Sequence, residues 1–323
     1  MCESCVAEEP VSYDWPRDVN YCYSLWSLAS FIGILLFNYC LGPRVFERVS
    51  STYRRLPPLQ RLEWNCRVSS TIHATLVTLL SFMSLLFDTS QWADPIASIS
   101  RPGCIALSIT IGYMLAGSRS GFRFFYLLDT ISMFTFQRGL ELLLFCTHHL
   151  VVAICFTFLL VRPTGTPHLS PSVIYRIAPV YAIIRLTSEI STPFLNQRWF
   201  YRIVGGKNAD RRAANATLVF TCLFTLGRYV LPFPYWVVFY RHFNSKPHLA
   251  VKDKLPFFTN CFISCPVLLD ILNAAWGYPV FIVTKKALVT LGYIRSTPKR
   301  NGMLNHNGGV GSSSYCNGSL HEE

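Results

Sequence analysis

The chain has 323 residues, of which 51% are hydrophobic and only 14% are charged. Soluble domains carry about a quarter charged residues, so this composition excludes an ordinary soluble protein and predicts an integral membrane protein. The net charge of +12 does not indicate nucleic-acid binding, because the basic residues lie in short segments beside apolar runs, as membrane topology produces. We therefore predict no nucleic-acid partner.

The first residues are acidic and lack the basic region of a cleaved signal peptide. We predict that residues 1–23 form a non-cytosolic segment and that the first apolar helix, residues 24–41, acts as the membrane signal. Gly42 and Pro43 are predicted to end that helix. A basic loop follows, and the first helix and this loop together form the predicted region 24–60.

Further apolar segments follow along the chain, and we predict a membrane helix for each. They cover residues 68–87, 103–116, 139–161, 171–191, 213–231 and 257–284. The segment 117–137 is aromatic and contains Arg119 and Arg123, so it either extends the third helix, re-enters the membrane or lies at its surface. Together the segments predict an all-α, multi-pass transmembrane bundle of about seven helices, followed by a disordered tail at residues 295–323.

The orientation of the bundle is predicted from its basic residues. Seven helices place the two termini on opposite sides of the membrane. Nineteen lysine and arginine residues then fall on the side of the C-terminus, against eight on the other side. Because basic loops stay in the cytosol, we predict a cytosolic C-terminus.

The sequence contains twelve cysteines. Most of them lie inside apolar runs, where cysteine acts as a small hydrophobic residue, so we do not predict a disulfide scaffold. Cys2 and Cys5 form a single CxxC, which is weak support for zinc without a second pair or nearby histidines. We predict no metal site and no cofactor.

The segment 139–161 is almost wholly apolar, yet it carries Glu141, His148 and His149. A charged residue at the centre of a membrane helix costs about 2.5–3.5 kcal/mol on insertion scales, so such residues usually face a bundle interior or a polar cavity. Glu141, His148 and Cys155 recur every seven residues and share one helix face, whereas His149 lies about 100° away. We predict that this helix forms the wall of an intramembrane cavity.

The adjacent histidines allow two interpretations. The functional one is acid–base or acyl-transfer chemistry, since a neutral imidazole accepts a proton near pH 7. The structural one is a helix-packing pair that is hydrogen-bonded to neighbouring helices. The residues alone leave both open.

Other polar residues also interrupt the apolar segments. Arg185 and Glu189 are spaced i, i+4, which predicts an internal salt bridge or a contact with a lipid head group or substrate amine. Asp270 and Asn273 are spaced i, i+3, and Arg228 is a candidate partner of Asp270. We predict that the cavity is lined by His73, Asp129, Arg185, Arg228, Asp270 and Asn273.

Several blocks of the sequence resemble the TLC domain family. They are LEWNCRVSSTIH at residues 62–73, Asp88 with Ala93-Asp94-Pro95, the pair His148-His149, RLTSEISTPFLNQRWF at residues 185–200, and Ile263-Ser264-Cys265 followed by LLDILN at residues 268–273. Together they predict a TLC domain at residues 61–294. One departure from the family pattern is the twelve residues 117–128, which separate the segment 112–116 from Asp129 and which we interpret as an insertion or splice variant in the third helix.

The resemblance implies a ring of six helices around a lipid-sized cavity, with one extra N-terminal helix, in the endoplasmic reticulum or another endomembrane. TLC relatives include ceramide synthases, in which a His-His pair and two downstream aspartates join an acyl chain from acyl-CoA to a sphingoid amine. Here His148 and His149 match the pair, Glu189 stands near the first acid and Thr192 takes the second position. The loss of one carboxylate counts against the synthase reaction.

We therefore predict a membrane protein that contributes to lipid homeostasis by holding a lipid or acyl chain in its cavity. The candidate partners are membrane lipids, acyl-CoA or a sphingoid base. The first alternative is an acyl-CoA-dependent N-acyltransferase, with His148, His149 and Glu189 as its catalytic residues. The second alternative is a lipid transporter or cargo receptor.

Overall fold

The structure of this protein is a computed structural model that describes residues 22–93, 100–129, 147–156, 179–243 and 256–295, together with residues 95, 98, 245 and 249. At residues 22, 118–129, 256–259, 261 and 262 it describes the backbone alone. The predicted N-terminal segment, the start of the 139–161 helix with Glu141, and the predicted tail beyond residue 295 lie outside the described residues.

The described part of the chain is helical and contains no strand. The α-helices are α1 (Cys22–Leu36), α2 (Gly42–Val49), α3 (Ser51–Arg55), α4 (Pro58–Phe87), α5 (Ser90–Ala93), α6 (Arg101–Asp129), α7 (Thr147–Phe156), α8 (Pro179–Leu186), α9 (Thr192–Val204), α10 (Ala209–Thr225), α11 (Pro232–Phe243) and α12 (Pro256–Thr290). In the described residues, three irregular helical turns each connect two α-helices into one continuous helical segment. They are two π turns, Phe37–Leu41 and Leu226–Val230, and one 3₁₀ turn, Thr187–Ser191.

Four described stretches are long and apolar enough to cross a membrane. They are Tyr23–Val49, Pro58–Phe87, Ala209–Phe243 and Ile263–Thr290, and α7 is a shorter apolar helix. The prediction of an all-α, multi-pass membrane bundle is confirmed. The predicted total of about seven helices includes segments outside the described residues and stays a prediction.

Several predicted helix ends are wrong because the helices continue into their basic flanks. The second predicted helix, α4, begins at Pro58 rather than at residue 68, and the fifth continues through the 3₁₀ turn and α9 to Val204. Segment 117–128 is helical and extends the third helix, α6, to Asp129. A helix of 29 residues is about 43 Å long, more than the hydrocarbon thickness of about 30 Å, so its end can reach the head-group layer, where charged residues are tolerated.

A π turn explains why the first helix does not stop at Gly42 and Pro43. Proline has no N–H group and its ring clashes with the carbonyl four residues earlier, which interrupts a regular α-helix. Here a π turn precedes Pro43, so the N–H of Gly42 donates to the carbonyl of Phe37, five residues back, and the helix continues to Val49. The predicted end at Gly42-Pro43 was wrong for this reason.

The same arrangement recurs deeper in the chain. The π turn Leu226–Val230 precedes Pro232, and the N–H of Leu231 donates to the carbonyl of Leu226 over 2.9 Å. The 3₁₀ turn Thr187–Ser191 precedes Pro193. These two irregular turns face each other, because a Cβ on Gly227 would lie 3.0 Å from the Cα of Ser188.

Within the described residues, two apolar clusters of buried side chains hold the helices together. The larger one lies where α4, α6, α7 and α8 meet, and its buried members include Val77, Leu107, Val152 and Ile183. The smaller one joins α8 to α11 through Tyr181, Tyr235 and Phe239. The cores therefore fix α7 and α8, the helices that carry the histidine pair and Arg185.

The N-terminal helix α1 packs closely along α6. The hydroxyl groups of Ser27 and Ser30 donate to the backbone carbonyls of Ser108 and Ile109 over 2.9 and 2.8 Å. A Cβ on Gly112 would lie only 2.1 Å from the carbonyl oxygen of Ser27. Small residues let two membrane helices approach to this distance.

We expect Gly112→Ala to destabilise the protein by about 1–3 kcal/mol, because the added methyl group meets the backbone of α1 and the two helices must move apart. The measurement is the thermal unfolding midpoint of the purified protein in detergent. Gly33→Ala is the matched control, since a Cβ on Gly33 meets no atom within 4 Å. Equal midpoints for the two variants would contradict this account of the α1–α6 contact.

Candidate functional site

A small cavity lies inside the bundle between α6, α7, α8, α12 and the two irregular turns of residues 187–191 and 226–230. Its polar wall is formed by His148, Arg185, Ser188, Glu189, Arg228 and Asn273. Its volume is about 40 Å³. One water needs about 10–15 Å³ on this measure, so the described residues enclose room for a few waters or one polar group. This part of the cavity is smaller than the lipid-sized space that the resemblance implied.

The structure brings most of the predicted site residues together, and the cavity wall contains five of them. These are His148, Arg185, Glu189, Arg228 and Asn273. Asp270 contacts one of these residues from behind the wall, whereas His73 and His149 pack on α6 away from it. The side chain of Asp129 lies outside the described residues.

Arg185 on α8 is paired with Asp270 on α12. Its Nη1 and Nη2 groups donate to Oδ1 and Oδ2 of the carboxylate, the second over 3.0 Å. The indole N–H of Trp236 also donates to Oδ2 over 2.9 Å, and the guanidinium lies 4.2 Å from the ring centroid of Tyr235. A bidentate pair of this kind is stronger and more directional than a single charged hydrogen bond.

Arg228, on the π turn, forms the second charged pair. Its Nη1 donates to Oδ1 of Asn273 over 2.9 Å, and its Nη2 lies 3.6 Å from Oε1 of Glu189. The hydroxyl group of Thr192 donates to Oε2 of Glu189 over 2.8 Å. The Arg228 and Glu189 side chains are only 11% and 14% exposed. Both oxygens of Glu189 are therefore engaged.

The two predicted pairings, Arg185 with Glu189 and Arg228 with Asp270, were wrong because the partners are exchanged. Arg185 lies in α8, but Glu189 lies in the 3₁₀ turn, which advances about 120° per residue instead of 100°. Glu189 therefore does not stack above Arg185 and reaches the π turn instead. With two arginines and two carboxylates, this group of charges has a formal sum of zero.

The two adjacent histidines have different surroundings. The ring of His148 packs edge-on against Trp276 of α12, with centroids 5.0 Å apart, and lines the cavity. His149 is 4% exposed, hydrogen-bonds to the backbone of Met114, and lies so close to Gly117 that a Cβ there would be 2.6 Å from its Cε1. The geometry fits a cavity residue for His148 and a packing residue for His149.

Tyr113 lies between His149 and a third histidine, His73, and contacts both rings. Its ring stacks on His73 with a centroid distance of 3.9 Å and lies 6.0 Å from the ring of His149. Its hydroxyl group is hydrogen-bonded to Ser70. Tyr113 is not among the predicted site residues. Its place in the Gly112-Tyr113 pair of the family pattern was the sequence feature that could have indicated it.

A disulfide between Cys155 and Cys265 connects α7 to α12, with the two Cα atoms 6.7 Å apart. The interpretation of these two cysteines as small hydrophobic residues was therefore wrong. They are 110 residues apart and both lie in apolar runs. No local pattern in the sequence indicates that they pair.

We expect Arg185→Leu or Asp270→Leu alone to destabilise the protein by about 3–5 kcal/mol, because each leaves an uncompensated charge inside the bundle. The double variant leaves no unpaired charge and should recover a large part of the loss. Unfolding free energies in mixed micelles test this. Glu63→Gln is the control, because it breaks the partly exposed i, i+4 pair with Arg67, a class worth about 0.3–0.5 kcal/mol. Additive losses in the double variant would contradict the pairing.

Comparison with known proteins places this arrangement in a family. The family model of the TLC domain matches residues 63–282. The Danio rerio protein TLC domain-containing protein 4-B is 29% identical over 255 residues, which cover 78% of this chain and 84% of the relative. TLC domain-containing protein 4 of Homo sapiens is 23% identical over 276 residues, 85% of this chain and 93% of the relative. TLC domain-containing protein 4 C of Dictyostelium discoideum is 25% identical over 289 residues, 88% of this chain and 93% of the relative.

No solved structure matches the chain. The family match begins within α4 and ends within α12, so it contains residues from every helix that walls the cavity. The helical membrane fold agrees with it. The chain belongs to the TLC domain family.

Proposed function

We propose that this protein contributes to membrane lipid homeostasis by holding a lipid through its polar end at the cavity beside His148. The observation that carries the proposal is the cavity itself, whose wall brings an imidazole, two guanidinium groups and a carboxylate together among apolar helices. Ionisable groups inside membrane bundles are expensive and generally mark a substrate path or a binding site.

The charge of the cavity wall restricts the kind of lipid. Arg185 and Arg228 are offset by Asp270 and Glu189, so the charged network has no net charge. A ligand with a net charge would have to be desolvated without a compensating partner, which is costly in a low-dielectric interior. A neutral or zwitterionic lipid therefore fits this wall better than an anionic or cationic one.

The size of the cavity restricts how such a lipid would be held. A space of about 40 Å³ accepts one polar group of the lipid, such as an ester carbonyl or a hydroxyl group, but neither an acyl chain nor a whole zwitterionic head group. We infer that the chain extends from the cavity along the apolar walls formed by Val152, Phe156 and Leu269. His148 lines the cavity, and its buried Nδ1 has no hydrogen-bond partner among the described residues, so we infer that the imidazole of His148 is the group that meets the ligand.

We also propose that the protein resides in the endoplasmic reticulum or another endomembrane, with a cytosolic C-terminus. The excess of basic residues on the side where α2, α3 and the end of α12 lie supports that orientation. The names of the relatives specify a TLC domain and no ligand or reaction.

The lipid-binding proposal predicts that His148→Ala weakens capture of a lipid. In detergent-solubilised membranes, we expect a photoactivatable phosphatidylcholine to label the wild-type protein and to label His148→Ala about tenfold less, the effect of losing one hydrogen bond to a ligand. His242→Ala is the matched control, because His242 lies at the end of α11 and does not line the cavity.

Peptide mapping of the labelled protein extends the test. Labelled residues should lie on α7 or on the half of α12 that contains Leu269 and Asn273. Labelling that is equal in all three proteins, or that maps only to the outer surface of the bundle, would contradict a cavity-bound lipid.

A second candidate function is acyl transfer from acyl-CoA to a sphingoid base. It is favoured by His148, an imidazole that lies in the same wall as Glu189. In this reaction His148 would accept the proton of the amine as its nitrogen attacks the thioester carbonyl, and the thiol of CoA would leave. One observation weighs against it: both oxygens of Glu189 are held, by Arg228 and Thr192, so the carboxylate is not free to act as a second base.

Incubation of the purified protein with acyl-CoA and a sphingoid base separates the two functions. The lipid-binding proposal predicts no N-acylated product above the level of a His148→Ala, His149→Ala double variant. A product that disappears in His148→Ala and persists in His242→Ala would establish the transferase instead. Movement of unmodified lipid between the leaflets of a vesicle would favour a transporter.

A further inference from the structure

We propose that the Cys155–Cys265 disulfide is a redox-controlled latch on the cavity. In the oxidised state it closes the seam between α7 and α12, and its reduction to two thiols lets that seam open for a lipid. The proposal rests on the proposed function, because it concerns access to the same cavity.

The position of the disulfide in the cavity wall supports this role. Cys155 lies beside Phe156 and three residues after Val152, and both of these line the cavity. Cys265 lies one helical turn before Leu269, which also lines it. The sulfur–sulfur bond therefore ties two opposite parts of the apolar wall directly to each other.

The helices at this seam run in opposite directions, and a second contact shows how the seam is built. Going from Cys155 back to His148 on α7 corresponds to going forward from Cys265 to Trp276 on α12, where the two rings are 5.0 Å apart. The disulfide fixes one end of the seam covalently, whereas a ring contact holds the other. A ring contact of this kind is weak compared with a covalent bond and can break when the seam opens.

Elsewhere α12 is anchored independently of the disulfide. Asp270 is bound to Arg185 on α8, and Asn273 is bound to Arg228 on the π turn. Reduction would leave these polar contacts in place. α12 would therefore stay in the bundle while its face with Cys265 moves away from α7. The cross-link thus controls one side of the cavity and not the integrity of the fold.

Cys155 and Cys265 are both partly exposed residues, so the disulfide lies near the outside of the bundle and not in its buried core. Cys104 is buried and Cys222 is exposed, and neither is cross-linked. In the predicted orientation, Cys265 lies near the start of α12, far from the basic residues Lys285 and Lys286 at its cytosolic end. This places the disulfide toward the non-cytosolic half of the membrane, on the side where disulfides persist.

The redox step is thiol–disulfide exchange, and two molecules of a small thiol supply the two electrons that it needs. One small thiolate attacks a sulfur of the disulfide, forms a mixed disulfide and releases the other cysteine as a thiolate. A second small thiol then releases the first cysteine, so that two cysteine thiols and one small-molecule disulfide are formed. The reverse exchange closes the latch.

The test measures the exchange of a bound lipid in the full-length protein in lipid nanodiscs. The probe is a phosphatidylcholine with a fluorescent acyl chain, loaded into the protein and then displaced by unlabelled lipid. An open state that rises from about 1% to about 10% of the population would accelerate exchange about tenfold. We expect this acceleration after reduction of the wild-type protein, a return to the slow rate after reoxidation with glutathione disulfide, and fast exchange in the Cys155→Ser, Cys265→Ser double variant with or without reductant.

Cys222→Ser is the matched control and should behave like the wild-type protein, since Cys222 is an exposed free cysteine on α10. If the probe never binds in any state, the proposed function fails together with the latch. If it binds but exchanges at one rate in every state, the latch alone is wrong. The latch is also wrong if reductant accelerates the double variant, or if Cys155 and Cys265 react with maleimide in freshly isolated membranes before reduction.

Discussion

The fold depends on neutralising four charged side chains inside an apolar bundle. Arg185, Arg228, Glu189 and Asp270 would each be very costly alone, and each can be retained because its opposite charge lies within contact distance. The partners come from separate helices, so every pair is also a connection between helices. The surface of α12 is largely apolar. Its position in the bundle is fixed by the hydrogen bonds of Asp270 and Asn273 in addition to apolar packing.

Two of these charges, Glu189 and Arg228, lie on irregular turns that precede prolines, and these prolines do not line the cavity. Pro193 and Pro232 follow the 3₁₀ turn and the π turn, and these turns carry Glu189 and Arg228. In an uninterrupted α-helix, Glu189 would stack near Arg185 and the two would neutralise each other within one helix. The irregular turns instead direct the two charges to different partners. π turns are frequent at functional sites in other proteins as well. The cavity lies where the two turns face each other.

The sequence contains enough information to predict the membrane class, the helical fold and the convergence of His148, Arg185 and Arg228. These follow from apolar segment length and from the cost of buried charge, which are local properties. The exchanged ion pairs could not be predicted, because they depend on the change from α to 3₁₀ geometry between Arg185 and Glu189. The disulfide could not be predicted either, because it depends on tertiary contact between residues 110 positions apart. The helix ends were misjudged wherever basic residues were taken to mark loops.

The distinction between holding a lipid and transforming one comes down to the freedom of Glu189. A catalytic carboxylate must change partner or protonation state during the reaction, and here Arg228 and Thr192 occupy both oxygens. Removing Glu189 from this network to serve a reaction would leave Arg228 with Asn273, a neutral amide, as its polar partner in the described part of the chain. The charged pairs are therefore better suited to form a fixed polar surface than a moving acid–base pair, whereas the buried Nδ1 of His148 has no hydrogen-bond partner among the described residues. Under the proposed function, the lipid would therefore meet the imidazole of His148 and leave the charged pairs undisturbed.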